Sequence, residues 1–343
     1  MATTPRRLGK HARIVIAGAG SIGCFIGGLL IAGGRNVKFF GRPRIVEALQ
    51  SAGLHLTDLD GLDQHLPAHR LTAATDAALL ADADLVIVAV KSGGTAAIAK
   101  EIAAHCSQDA TILSLQNGVS NIPVLRSALA GMEVRGGIVE FNVIEKGAGH
   151  FHRGTSGKLM IEAGRADLAA LLAVPGLGIA ATADLTSHQW GKLLINLNNA
   201  LNALSGLPLR EQLQDQDWRR LLAEQTEEAL RALRAAGIRP AALPLPPPLI
   251  PRILRLPTPL FRIAAAPVLR VDPEARSSMW EDLMRRRPTE IDHLQGEIVA
   301  LGARHGIATP LCKAIAALVK QAETARAGPP SLRPADVRKA ALQ

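Results

Sequence analysis

Residues 13–42 read RIVIAGAGSIGCFIGGLLIAGGRNVKFFGR, and the reading of this stretch decides the fold. The run Ile14-Val15-Ile16-Ala17 is apolar without alternation, as a parallel strand buried on both faces requires. Gly18-Ala19-Gly20-Ser21-Ile22-Gly23 follows at once and fits G-x-G-x-x-G. An apolar, small-residue helix is expected from about Ile22 to Ala32, ended by Gly33-Gly34, and then a second strand from Asn36 to Phe40. Each glycine has a mechanical task in such a unit. Gly18 permits the tight turn, Gly20 lets backbone approach a pyrophosphate, and Gly23 lets helix pack close to strand. The free N–H groups of the first helical turn, at Ser21, Ile22 and Gly23, then face the phosphates. The motif alone is also met as a glycine-rich turn without ligand. Its place inside strand, turn, helix and strand is what points to a dinucleotide.

The end of the second strand bears on which nucleotide. An NAD-preferring site places Asp or Glu about 20 residues beyond the glycines, to accept from the ribose 2′-hydroxyl. Here the chain continues Phe39-Phe40-Gly41-Arg42-Pro43-Arg44, and the first acidic residue is Glu47. A guanidinium suits a dianionic 2′-phosphate. The expected cofactor is therefore NADPH, with Arg42 as lead contact and Arg44 in reserve; a solvated basic loop is the alternative.

The chain has 343 residues, 48% of them hydrophobic, enough for about two domains with separate cores. Net charge is +9, with much of the excess in arginines of the C-terminal half and the extreme N-terminus. With no Tyr, six Phe and three Trp, stacking on nucleic-acid bases has little support, and the charge suits anionic substrates and cofactors. Three widely spaced cysteines and no C-x-x-C predict reduced thiols in a cytoplasm, with neither a disulfide framework nor a zinc site. The ten histidines show no ligand spacing, so no metal is expected. No secretory signal and no spanning stretch of ~18–20 apolar residues is visible, so no membrane role is expected.

Further along, 44–52 reads as a short helix and 54–73 as a loop or hairpin excursion. Asp84 to Val90 holds another continuous apolar strand, ending in Lys91 and followed by an alanine-rich helix to about Ala104. Thr111 to Leu115 is the next strand, ending in Gln116-Asn117-Gly118. A helix near 122–129, a strand near 134–139 and antiparallel edge strands over 139–162 complete an open twisted sheet. Ligands sit beyond the carboxyl ends of strands in such sheets, which is where Lys91 and Asn117 fall. By local sequence alone Lys91 also reads as a solvated loop lysine, and Asn117-Gly118 equally as a turn.

From about Asp184 the texture is helical. The expected organisation is α/β: a Rossmann-type doubly wound sheet over 1–183, then an all-α domain over 184–328 with a proline-rich insertion at 240–271. A loosely held tail, 329–343, would follow. Leu185 to Leu204 reads as one helix on which Lys192, Asn196 and Asn199 share a face at i, i+4 and i+7. A polar stripe on an apolar helix is costly unless its groups have partners. The proline-rich stretch cannot be one regular helix; it predicts a broken-helix or extended cover, or a contact with a second copy in a homodimer. Asp272-Pro273 reads as the N-cap and first residue of a helix to Arg286. A further helix is expected from Pro288 to about His305, where Glu290 reads locally as an ordinary first-turn carboxylate. A last helix is expected over 311–325.

These blocks, in this order, resemble the ketopantoate reductase family: GAGSIG, then VAVKS around Lys91, LQNG around Asn117, WGKLLIN around Lys192 and SSMWEDLMRRRPTEID from Ser277 to Asp292. The resemblance implies reduction of a 2-oxo acid, ketopantoate, by NADPH on the path to pantothenate. By motif, Lys192 is similar to the general acid that protonates the carbonyl oxygen. Glu290 resembles the carboxylate that binds the substrate hydroxyl and orients that lysine. Asn196 and Ser278 resemble the residues holding substrate hydroxyl and carboxylate, and Lys91 and Asn117 residues beside the nicotinamide and substrate. One position departs from the pattern. Some members carry a second substrate-binding Asn eight residues after the lysine; here Ala200 stands there, and Asn199 one place earlier. Two other readings follow: a reductase of another 2-oxo acid, or an NADP(H)-binding sensor without catalysis.

Overall fold

The computed structural model describes residues 8–164, 167–243, 245–266 and 274–342. The chain divides into two compact units, Met1–Leu185 and Thr186–Gln343.

The first unit opens with β1 (Arg13–Ala17), α1 (Ser21–Ala32), β2 (Asn36–Phe40) and α2 (Pro43–Ala52). Next come β3 (Leu54–Asp58), β4 (Asp63–Leu66), β5 (Thr72–Ala74), β6 (Leu85–Val88), α3 (Thr95–His105), β7 (Thr111–Ser114) and α4 (Asn121–Ala128). It closes with β8 (Glu133–Val139), β9 (Val143–Gly147), β10 (His150–Arg153), β11 (Leu159–Glu162), α5 (Leu168–Leu172) and β12 (Ile179–Thr182). Eight strands form the main sheet in the order β12-β11-β8-β7-β6-β1-β2-β5. From β5 to β8 all neighbours are parallel, and β11 runs antiparallel to β8. Alternate residues of the central strands feed two cores. Ile14, Ile16, Leu85 and Ile87 face α1, while Val15, Ala17, Val86 and Val88 face α3 and α4. Burial on both faces is why these strands read as unbroken apolar runs.

Residues 139–162 differ from the expectation of edge strands in one sheet. Only β11 joins the main sheet; β9 and β10 leave it and pair with β3 and β4 in a second, four-stranded sheet, β4-β3-β10-β9. Here the strands alternate, with Leu54, Leu56, Leu66 and Phe151 buried in the α1 core. Helix α1 therefore lies between two sheets. Cβ atoms built at Gly23 and Gly27 would strike Ile16 and Phe39 of the main sheet, and one at Gly28 would strike Leu56 of the second. A helix covered on both sides has no use for a polar face, which explains its composition. Phe25, Ile26, Leu29 and Leu30 are fully buried, each side chain contributing roughly 1.5–3 kcal/mol.

The second unit is helical, with α6 (Leu185–Asn196, which begins at the boundary), α7 (Asn198–Ser205), α8 (Leu209–Gln214) and α9 (Gln216–Ala235). After these come α10 (Ile250–Leu254), α11 (Thr258–Ala264), α12 (Ser278–Met284), α13 (Gln295–Arg304), α14 (Pro310–Ala325) and α15 (Pro334–Ala341). Three sequence expectations are corrected, and one that was left open is resolved. The helix expected over 185–204 breaks at Leu197. The one expected over 288–305 breaks at Leu294, leaving a single 3-10 turn over Ile291–His293. The tail is held: Val337 is fully buried and Arg338 pairs bidentately with Glu224 of α9. The described part of the proline-rich stretch takes the broken-helix form among the expected alternatives: short helices bound to α9 by the buried Arg219, which donates to the carbonyls of Leu254 and Leu256 under the ring of Phe261. The expected Asp272-Pro273 cap lies outside the described residues; the helix it was to open is described from Ser278, capped by Ser277. Among the described residues no helix is long and apolar enough to cross a membrane.

The Asp58–Arg153 ion pair at the rim of the second sheet is nearly sealed, with side chains 3% and 10% exposed. Burial pushes the Asp58 carboxyl up. The N–H of Leu62, the Arg153 guanidinium and the N–H of Asp60 outweigh this and hold it below the usual Asp range. The pair's stabilisation is therefore complete above the ordinary Asp pKa of ~3.9 and lost as pH falls through the lowered native value. Asp58→Asn should cost about 3 kcal/mol at neutral pH in denaturant unfolding, the usual result of removing one member of a buried pair. The gap from the parent should narrow below pH ~4; a gap constant with pH would show the charge to be irrelevant.

Candidate functional site

The turn between β1 and α1 is shaped by contacts that exclude side chains at two of its three glycines. Gly18 has φ +111°, and a Cβ there would lie 2.5 Å from the backbone nitrogen of Val90. A Cβ at Gly23 would lie 2.2 Å from the carbonyl oxygen of Gly18. Gly20 is different. Its φ of −84° and ψ of −169° suit any residue, and a Cβ there would meet nothing within 4 Å. The protein itself thus requires glycine at 18 and 23, and leaves open space over 20. The first bond of α1 runs from the N–H of Cys24 to the carbonyl of Gly20, 2.8 Å. The N–H groups of Ser21, Ile22 and Gly23 consequently have no acceptor within the helix, and neither a capping side chain nor a first-turn acid competes for them. Such a cradle fits a pyrophosphate.

At the end of β2 the two arginines separate. Arg44 forms a bidentate pair with Glu145, 2.8 and 3.2 Å, and is committed to it. Arg42 is exposed just before Pro43 opens α2 and has no side-chain partner among the described residues. It remains the group suited to a 2′-phosphate.

Lys91 is exposed at the end of β6, heading the 3-10 turn Ser92–Gly94, and Asn117 is half-buried beyond β7. A buried polar network fixes both loops. Gln116 Nε2 donates to the Val90 carbonyl (3.1 Å) and to Thr95 Oγ1 (2.7 Å). Thr95 Oγ1 donates to Asn121 Oδ1 (2.7 Å), and Asn121 Nδ2 donates to Ser92 Oγ (2.9 Å) and the Asn117 carbonyl (2.6 Å). Sequence reading missed Ser92, Thr95, Gln116 and Asn121. They are polar residues just beyond strand ends, and that position was the only signal.

In the helical unit Lys192 and Asn196 are half-buried, one turn apart on α6, and Asn199 is half-buried on α7. Leu197, between the helices, keeps helical angles (φ −57°, ψ −29°). Its carbonyl accepts from Gln225 Nε2 at 3.1 Å and from Gln295 Nε2 at 2.8 Å, both side chains fully buried. These two glutamines, from α9 and α13, hold the break between Asn196 and Asn199. Neither asparagine has a side-chain hydrogen bond among the described residues. The buried Ser277 ties α12 to α7, its Oγ donating to the Asn199 carbonyl (2.9 Å). Ser278 beside it is exposed at the first position of α12. Asn199 and Ser278 are thus brought near one another. Glu290 is half-buried and is not in the first turn of an α-helix. It precedes the 3-10 turn, between the fully buried Ile291 and Thr289, whose N–H donates to Glu323 on α14 (2.7 Å). That removes the ordinary first-turn carboxylate as an account of Glu290. The thiols offer no nucleophile: Cys24 and Cys312 are buried, and burial pushes the Cys106 thiol up to about 11.

A Rossmann-type unit with this cradle, joined to a helical unit bearing a half-buried lysine and carboxylate, defines the class of dinucleotide-dependent oxidoreductases. Residues 14–166 match the family described as ketopantoate reductase PanE/ApbA, and residues 184–323 match its C-terminal domain. The chain therefore belongs to the ketopantoate reductase family. It is 28% identical over 320 residues to the 2-dehydropantoate 2-reductase of Halobacterium salinarum, covering 91% of this chain and 99% of the other. The crystal structure of a PanE/ApbA family ketopantoate reductase from Ralstonia eutropha is 31% identical, with a TM-score of 0.79 over 92% of this chain and 99% of that one. A D-mandelate dehydrogenase, solved with NADH and anilino(oxo)acetate, shares the fold at 21% identity and a TM-score of 0.75, covering 92% and 99%.

The contrast among the glycines gives a direct test. Gly23→Ala should lower stability by about 1–3 kcal/mol, since backbone must move. Gly20→Ala should unfold within about 0.5 kcal/mol of the parent and yet bind the nicotinamide dinucleotide more weakly. Equal stability losses at both positions would contradict the difference in packing.

Proposed function

We propose that the protein reduces 2-dehydropantoate to pantoate with NADPH, a step of pantothenate biosynthesis, in the cytoplasm. The observation that carries this reading is the half-buried polar stripe of Lys192, Asn196 and Asn199 among the buried Leu193, Leu194, Leu197 and Ala200, with Glu290 held by its neighbours in the same unit. Family membership supports the reaction class. Arg42, without a side-chain partner among the described residues while Arg44 is engaged, supports NADPH over NADH. The three free thiols and the absence, among the described residues, of a membrane-crossing helix fit the compartment.

Bound NADPH would supply the hydride. The chain's part is to hold the dinucleotide at the glycine turn and Arg42, with Lys91 and Asn117 at the nicotinamide end. Lys192 then does the proton chemistry. Hydride arriving at a ketone carbon leaves alkoxide character on oxygen, which an ammonium both stabilises and protonates. Glu290 keeps that lysine charged and aimed, and binds the substrate hydroxyl. Asn196, Asn199 and Ser278 orient the hydroxyl and carboxylate of the acid.

A second reading, another 2-oxo acid, is favoured by one position. Ala200 is fully buried, and the amide of this region comes from Asn199 instead. A panel of 2-oxo acids with NADPH should show ketopantoate turned over best; a larger acid preferred by tenfold or more would establish the second reading. Lys192→Ala should lower kcat by roughly 10²–10⁴ while NADPH affinity stays close to the parent's. Turnover like the parent's would remove the acid role. Arg42→Ala should weaken NADPH binding and leave NADH binding unchanged; equal losses for both would remove the 2′-phosphate contact.

A further inference from the structure

The second sheet of the first unit has an outer face that no step above uses, and it is lined with imidazoles. The alternation that sends Leu54, Leu56, Leu66 and Phe151 into the α1 core places His55, Thr57, His65, His150 and His152 at the intervening positions. The register puts His55 of β3 directly opposite His65 of β4 on one side and His150 of β10 on the other. The three rings stack, with centroids 3.8 Å apart for His55 and His65 and 4.2 Å apart for His55 and His150. Asp63, two residues before His65 and so on the same face, completes the group. Its Oδ1 lies 2.8 Å from His55 Nε2 and 3.3 Å from His65 Nε2, and one ligand atom from each residue lies within 4.8 Å of the other two.

We propose that His55, His65 and Asp63 bind a zinc ion that staples the β3–β4 hairpin. A tetrahedral zinc with bonds of ~2.0–2.1 Å holds its ligand atoms roughly 3.3 Å apart, so the ion replaces the His55–Asp63 hydrogen bond, and the two stacked rings turn so that a nitrogen of each converges on it. Two imidazoles and one carboxylate form a borderline donor set that suits zinc, whereas calcium and magnesium want oxygen alone. Asp63 is exposed, which leaves the fourth position to water. The scaffold is preorganised, because β3 is paired on both sides and both histidines spring from one cross-strand pair. His150 and His152 are not ligands. Thr57 Oγ1 engages His150 Nε2 at 2.9 Å and His152 Nδ1 at 2.8 Å, which holds both rings in place. The ligands lie on the face opposite the α1 core, so the ion acts on the hairpin's stability. The sequence showed no ligand spacing because His55 and His65, ten residues apart along the chain, meet through strand pairing.

The test uses the full chain, without a histidine tag and dialysed against EDTA, titrated with zinc chloride by calorimetry and thermal unfolding. One zinc per chain and a rise in unfolding midpoint, reversed by EDTA, are expected. His55→Ala with His65→Ala should abolish both, Asp63→Asn should weaken binding by more than about tenfold, and His305→Ala should change neither. Proton–nitrogen spectra of the imidazoles in the unaltered protein give a reading independent of variant folding; the His55 and His65 rings should respond first. No saturable binding, or full binding retained in the double variant, overturns the proposal, as does a response confined to His150 and His152.

Discussion

The approach of α1 to backbone is the constraint on which the first unit depends. The Gly18 carbonyl sits where a side chain at Gly23 would have to go, and Val90 sits where one at Gly18 would go. The same helix is then closed from the other side by Leu54 and Leu56 of the second sheet. Pinned between two sheets, the helix cannot slide or tilt, and its first turn stays directed at the open space over Gly20. Rigid packing of an apolar rod thereby yields a fixed set of backbone donors, which is what anion binding at a helix start requires.

The helical unit solves a related problem with polar atoms. The stripe of Lys192, Asn196 and Asn199 crosses a helix break, and a break exposes a carbonyl that must find donors. Two buried glutamines provide them at Leu197, from helices far apart in sequence. Elsewhere in this unit helix ends are also fixed by distant side chains. Glu228 of α9 accepts from the N–H groups of Leu311 and Cys312 at the start of α14, both at 2.9 Å. Ser277 accepts from the N–H of Trp280 while donating to Asn199. Positions near the candidate acid thus rest on long-range hydrogen bonds as much as on helix propensity.

What the sequence revealed follows from whether the determining contact is local. Unbroken apolar strands, the glycine turn and the all-apolar α1 are local patterns, and the main sheet was legible from them. The second sheet was not. Short strands such as Leu54–Asp58 and His150–Arg153 find one another across nearly a hundred residues, and no local pattern specifies that pairing. The break at Leu197 was missed for the same reason, since Gln225 and Gln295 lie far from it in sequence. Arg42 and Arg44 looked alike in the chain; Glu145, a hundred residues on, separates them. Lys192, Asn196 and Glu290 were singled out as candidates by motif resemblance and helical spacing, whereas the network of Ser92, Thr95, Gln116 and Asn121 needed coordinates.

A crystal structure with NADP⁺ and pantoate bound tests the central account most directly. Pyrophosphate oxygens are expected on the N–H groups at the start of α1, the 2′-phosphate against Arg42, and Lys192 Nζ within ~2.6–3.2 Å of the substrate oxygen that was the carbonyl. A ternary complex in which the Lys192 ammonium points into bulk water, away from that oxygen and from Glu290, would contradict it.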